Sequence, residues 1–147
     1  MSVPIHRIKP TLRLIKCTSF DTVIDVRSPS EFLDDHMPNA LNLPVLDDVQ
    51  RESIGIIYSQ NNPFEAKRAG AALVAQNISI HLQTELANKD RNWRPLIYCW
   101  RGGHRSGAMA KIFSDIGWHT KVIEGGYKAY RKTVLDALDQ LPQKFQL

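Results

Sequence analysis

Pro95-Leu96-Ile97-Tyr98-Cys99-Trp100-Arg101-Gly102-Gly103-His104-Arg105-Ser106 is the stretch that decides the fold. Its first half is apolar throughout, which predicts a strand covered on both faces and therefore central in a parallel sheet. Two glycines then turn the chain. Ser106 is expected to cap a helix that stops at Gly117, in the position past a helix end that glycine favours. A strand, a glycine loop and a helix in succession imply that other strands and helices alternate around them.

They do so on both sides. Residues 22–26 form a β-branched run, read as a buried strand. Ser28-Pro29-Ser30-Glu31 has a cap, a proline at the first helical position and an acid three residues on, so a short helix starts there. His36-Met37-Pro38-Asn39 reads as a turn, and residues 40–43 as an edge strand ending at Pro44. A helical segment over about 47–88 follows. Asp47 opens one helix reaching about Gln60, with Val49, Ile54, Ile57 and Tyr58 on its apolar side. Asn62 opens a second, reaching about Asn88, with Val74, Ile78, Leu82 and Leu86 in an apolar row and a break near Asn77. Residues 120–123 read as another strand, and Gly125-Gly126 turn into a last helix over about 127–141, ended by Pro142. The expectation is one α/β domain over 1–147, its core at about 20–132, with a mainly parallel sheet.

Composition narrows the function classes. Hydrophobic residues at 43% exclude wholesale disorder. The longest apolar runs are too short to cross a bilayer, and the cations scattered through residues 1–17 do not suit a secretory leader. Two cysteines, Cys17 and Cys99, make neither a disulfide framework nor a metal pattern, so no metal is expected and the chain reads as cytoplasmic. The net charge of +4 is unevenly spread: the balance is −2 over residues 1–90, +7 over 91–132 and −1 thereafter. A basic block of that kind suits an anionic partner, or else a solvated face.

The loop after residue 98 carries the chemistry. In a parallel sheet, ligands bind just past the carboxyl ends of strands, which is where Cys99 falls. Glycines let successive N–H groups curl inward as an anion nest, and the following helix aims its positive end at the same point. Arg105 and Arg101 add full charges. Each feature favours thiolate over thiol, so Cys99 is expected to be the nucleophile. Cys17 has no such company and reads as an incidental thiol.

Four motifs in order carry a resemblance to the rhodanese family: Asp25-Val26-Arg27 with Glu31-Phe32, His36-Met37-Pro38-Asn39-Ala40, the cysteine loop, and Glu124-Gly125-Gly126-Tyr127. More narrowly, the loop, the helical insertion at 47–88 and Gly125-Gly126-Tyr127-Lys128-Ala129-Tyr130-Arg131 resemble the N-terminal rhodanese-like domain of the tRNA 2-selenouridine synthases. The resemblance implies a three-layer fold with helices on both faces of the sheet. It implies that Cys99 handles sulfur or selenium in replacing the sulfur of 2-thiouridine at the tRNA wobble position. It also implies a P-loop domain as partner, selenophosphate or a sulfur donor as substrate, and geranyl diphosphate only together with that P-loop domain. No other cofactor is expected. This sequence has no Gly-x-x-x-x-Gly-Lys-Ser/Thr, so the P-loop domain is expected elsewhere.

Five residues separate Cys99 from Arg105, one more than common sulfurtransferases of the family have and the spacing of related phosphatases and arsenate reductases. A phosphatase also wants a histidine before the cysteine, where Tyr98 stands. The anion-binding loop is therefore taken as Trp100, Arg101, Gly102, Gly103, His104, Arg105 and Ser106. Asp25 and Arg27 are expected to pair beside it, and His36 to serve its turn. Tyr98 reads as core and Trp100 as loop rim. Lys128, Arg131 and Lys132 are candidates for tRNA phosphate contacts. Other functions stay open: a freestanding sulfurtransferase, a silent domain that only docks tRNA or a partner, and, ranked behind these, a phosphatase or arsenate reductase.

Overall fold

A computed structural model describes residues 2–16 and 19–144. Five short strands make one parallel sheet in the order β1-β5-β4-β2-β3. They are β1 (His6–Ile8), β2 (Thr22–Asp25), β3 (Leu41–Asn42), β4 (Pro95–Tyr98) and β5 (Lys121–Ile123). The helices are α1 (Pro29–Asp34), α2 (Asp48–Ser59), α3 (Pro63–Gln83), α4 (His104–Ile116) and α5 (Gly126–Lys144), with a 3-10 turn over Leu12–Lys16.

The continuous apolar reading of β4 is explained by its place in the middle of the sheet, where alternate side chains enter two separate cores. Ile97 and Cys99 join Ile24, Val122, Ile78 of α3, and Met109 and Phe113 of α4. Leu96 and Tyr98 join Val23, Ile123, Leu14, and Tyr127 and Tyr130 of α5. Helices thus cover both faces, and the architecture is a three-layer α/β fold. Truncating Ile97, which is fully buried, to alanine is expected to cost about 2–5 kcal/mol. Trp93, Phe113 and Trp118 close the first core with edge-on ring contacts 4.9–5.7 Å apart. Among the described residues no helix is long and apolar enough to cross a membrane.

Several expectations need correction. The sheet has a fifth strand, β1, before residue 20; its exposed His6 and Arg7 hide it from any hydrophobic pattern. Ser106 does not cap α4. Gly103 does, and Ser106 is the third helical residue, fully buried with its hydroxyl turned toward Cys99. Helix α3 is unbroken at Asn77, whose side chain instead holds Val45 O and Gln50 Oε1, each at 2.8 Å. It ends at Gln83, where the Thr84 hydroxyl bonds back to Ile80 O and Leu86 N–H to His81 O, folding Leu86 into the core. The apolar side assigned to α2 is only half right: Ile54 and Ile57 are partly covered, whereas Val49 and Tyr58 are exposed. Helix α5 continues past Pro142 to Lys144, so the proline, within the last turn, forgoes one bond back to the preceding turn without ending the helix.

Candidate active site

Cys99 follows the last residue of the central strand, and α5 is built onto the loop that it starts. The N–H of Tyr127 donates to Cys99 O at 2.8 Å and that of Lys128 to Trp100 O at 2.9 Å, so the loop's carbonyls satisfy two of the helix's free donors. This contact explains the glycine at 126. Gly126 has φ +65°, and a Cβ there would lie 2.5 Å from Cys99 O and 2.6 Å from Trp100 O. Gly102, at φ +72°, faces Gly125 N and Ile123 O across the same junction. With the carbonyls of Cys99 and Trp100 committed to α5, the loop's amides are left over. Backbone N–H groups of residues 101–105 donate to no protein acceptor among the described residues.

The Cys99 side chain is buried, with Sγ 3.2 Å from Ser106 Oγ. Ser106 Oγ also lies 3.4 Å from Gly103 O. With a neutral thiol, S–H can donate to Oγ while Oγ–H donates to Gly103 O; with a thiolate, Oγ–H turns to sulfur. The serine therefore accommodates both protonation states of the cysteine without leaving a buried group unsatisfied.

Arg105 does not stand free. Its guanidinium meets Glu31 of α1 through Nη1 to Oε1 at 2.8 Å and Nη2 to Oε2 at 3.4 Å, with both side chains mostly covered. Glu31 also accepts from Ser28 N at 3.1 Å and Ser28 Oγ at 2.9 Å, and Arg51 lies 3.5 Å away. Burial alone would raise its carboxyl, but Arg105 and Ser28 outweigh burial and hold it at about 2. Glu31 is the site residue that sequence reasoning missed: its capping position accounted for it locally, and nothing local pointed across 74 residues to Arg105. Arg101, by contrast, is exposed with no ion pair among the described residues.

Asp25 and Arg27 form a buried pair, with Arg27 Nε within 3.1–3.2 Å of both carboxylate oxygens and Nη2 2.8 Å from Oδ2. Arg27 Nη2 also donates to Asp35 O at 2.6 Å, and its guanidinium lies 4.5 Å from the centre of the Tyr127 ring. Tyr98 completes the network, donating to Asp25 Oδ2 at 2.7 Å and accepting from Met37 N at 3.1 Å. Burial and the adjacent carboxylate push the Tyr98 phenol up, so it stays protonated as that donor. The network ties β2, β4, α1 and the following turn together beneath the loop. Its contacts are internal, which suits support rather than ligand binding.

The other expected residues lie apart. Trp100 is half-buried, 6.3 Å between ring centres from Tyr127. His36 stacks on Phe32 at 3.7 Å and hydrogen-bonds Phe32 O at 2.7 Å. His104 is exposed at the start of α4. Lys128, Arg131 and Lys132 are exposed on α5, Arg131 being 3.8 Å from Asp35. Cys17 lies outside the described residues.

Comparison with known proteins identifies the family and the fold. The family model described as Rhodanese-like domain matches residues 10–133. A tRNA 2-selenouridine synthase of Psychromonas ingrahamii is 34% identical over 122 residues, covering 83% of this chain and 33% of that protein. Another, from Proteus mirabilis, is 37% identical over 123 residues, covering 83% of this chain and 34% of its own length. The chain therefore spans about a third of the curated relatives it matches. A solved N-terminal domain from Clostridium difficile 630, whose parent protein is named for ATP/GTP binding, superposes with a TM-score of 0.69. It is 38% identical and covers 87% of this chain and 98% of that one. A rhodanese-related protein from Thermoplasma volcanium, 18% identical with a TM-score of 0.54 over 86% of this chain and 91% of its own, shares the fold.

Proposed function

The chain belongs to the rhodanese-like domain family, and from that membership we propose that it transfers sulfur or selenium through a per-chalcogenide on Cys99. In this reading it is the rhodanese-like part of a tRNA 2-selenouridine synthase acting on 2-thiouridine. One observation carries the chemistry: a cysteine just past the central strand, its sulfur against the Ser106 hydroxyl, opening a loop whose amides at 101–105 bond no protein acceptor among the described residues.

The step is a displacement. The Cys99 thiolate attacks the outer sulfur of a sulfane donor such as thiosulfate, the donor's S–S bond breaks, and sulfite leaves with the bonding pair. Selenosulfate would react in the same way, leaving Cys99–S–Se⁻ and sulfite. Loop amides and Arg101 stabilise the anion, and Ser106 Oγ–H donates to the thiolate that attacks. The same cradle suits the oxyanion of selenophosphate, the donor that family resemblance suggests. A nucleophile such as cyanide then attacks the terminal atom, its bond to Cys99 Sγ breaks, and the bonding pair restores the thiolate. Exchange into 2-thiouridine, with the uridine's sulfur expelled as sulfide, takes two further electrons from a thiol reductant. Chemistry that needs a P-loop, including any use of geranyl diphosphate, is assigned to a separate domain.

Glu31 argues against a phosphatase. That reaction needs a protonated acid beside the loop to supply the leaving group, and a carboxyl held at about 2 has no proton to give near neutrality. The test is turnover with thiosulfate and cyanide. Thiocyanate should form with the intact chain and fall to background with Cys99→Ser. Phosphate release from an aryl phosphate, without thiocyanate, would overturn the reading.

A further inference from the structure

A shallow groove of about 530 Å³ runs beside the cysteine loop, with Arg7 on one side and His104, Gly107 and Lys111 on the other. Its construction follows from two periodicities. Ile8 packs into the α5-side core, so Arg7, one residue back on β1, is sent to the α4 face. His104, Gly107 and Lys111 stand three and seven residues apart along α4 and share one stripe of it. Arg7, His104 and Lys111 are exposed, none has an ion-pair partner among the described residues, and no acid lines the groove.

Gly107 is the second observation. Its φ is not positive, and a Cβ there would meet nothing within 4 Å, so neither backbone conformation nor packing asks for glycine. Inside a helix glycine costs about 0.8–1.0 kcal/mol relative to alanine. What the missing Cβ provides is bare backbone on the groove floor, beside His104 and Lys111, where a partner can come close. His104 and Lys111 are separated by roughly 10 Å along the helix axis, at 1.5 Å per residue, further than a single phosphate can bridge. A row of that length fits successive phosphates of a chain.

We propose that this groove is a track for the phosphate backbone of an RNA strand, guiding it to the Cys99 loop. The inference rests on the tRNA reading above and places contacts on α4 and β1 rather than on Lys128, Arg131 and Lys132 of α5.

Binding of fluorescently labelled tRNA to the full chain tests it, from about 50 to 200 mM salt. Arg7→Ala with Lys111→Ala should weaken binding at least fivefold at low salt. It should also reduce the slope of log affinity against log salt by about 1.4–1.8, two contacts at 0.7–0.9 each. Gly107→Ala should resist urea at least as well as the original chain yet bind tRNA at least threefold more weakly, a split that a purely structural glycine cannot give. If the original chain binds and these variants bind equally well, with the slope lost only on changing Lys128, Arg131 and Lys132 to alanine, the groove is refuted and the tRNA reading stands. If the original chain does not bind tRNA at all, both fall, while thiocyanate turnover reports separately on Cys99.

Discussion

Replacing Glu31 with glutamine isolates the ion pair that holds Arg105 beside the loop. A carboxyl at about 2 in the folded chain against 4.5 when free is worth about 3 kcal/mol of preference for its charged form. Glu31 is 15% exposed and Arg105 21%, so solvent screening removes only part of this, and about 2 kcal/mol should be lost. For a chain of this size that is a fall of about 4–8 °C in Tm. The sign in pH follows from the depressed carboxyl. Its contribution is complete above 4.5, declines as pH falls from there through about 2, and is absent below. Urea titrations at pH 7 and at pH 3 should therefore show Glu31→Gln clearly weaker at the first and closer to the original chain at the second. A double-mutant cycle with Arg105→Gln should give a coupling of at least about 1 kcal/mol at pH 7. Equal urea midpoints at pH 7, or a deficit that does not change with pH, would refute the reasoning.

Asp25→Asn leaves a buried guanidinium without its carboxylate and should destabilise the chain by about 3–5 kcal/mol, measured by urea unfolding. Tyr98→Phe, which removes one donor and one acceptor from the same network, should cost only about 1–3 kcal/mol. Gly126→Ala sets a Cβ against Cys99 O and Trp100 O at positive φ, and should lower stability by at least about 2 kcal/mol while abolishing thiocyanate formation. Ser106→Ala removes the hydroxyl that donates to Cys99 Sγ as the thiolate attacks, a bond to a charged group worth about 1.5–3 kcal/mol, so sulfur transfer should slow at least tenfold.

What was legible in the sequence was whatever local pattern determines. Pro95 to Tyr98 is apolar at every position because β4 is covered on both sides, and that alone places the cysteine loop at a strand end. Asp47 and Asn62 announced their helices because their side chains bond the first-turn N–H groups of Gln50 and Glu65. Long-range pairing was not legible. Strand β1 is held by its parallel register with β5, Arg7 opposite Val122, and its own residues carry no alternation of buried and exposed. Ser106 is a good cap by composition, but tertiary demand for a polar partner beside Cys99 displaced that role to Gly103. Glu31 and Arg105 meet only because α1 and α4 follow the carboxyl ends of neighbouring parallel strands, β2 and β4.

The central claim, that Cys99 is the atom carrier, is tested most directly by peptide-resolved mass spectrometry after brief exposure to thiosulfate. The account predicts a gain of one sulfur atom on the peptide containing Cys99, removed by cyanide and absent in Cys99→Ser. Sulfur found on the Cys17 peptide instead, or a Cys99 peptide of unchanged mass under conditions where thiocyanate forms, would contradict it.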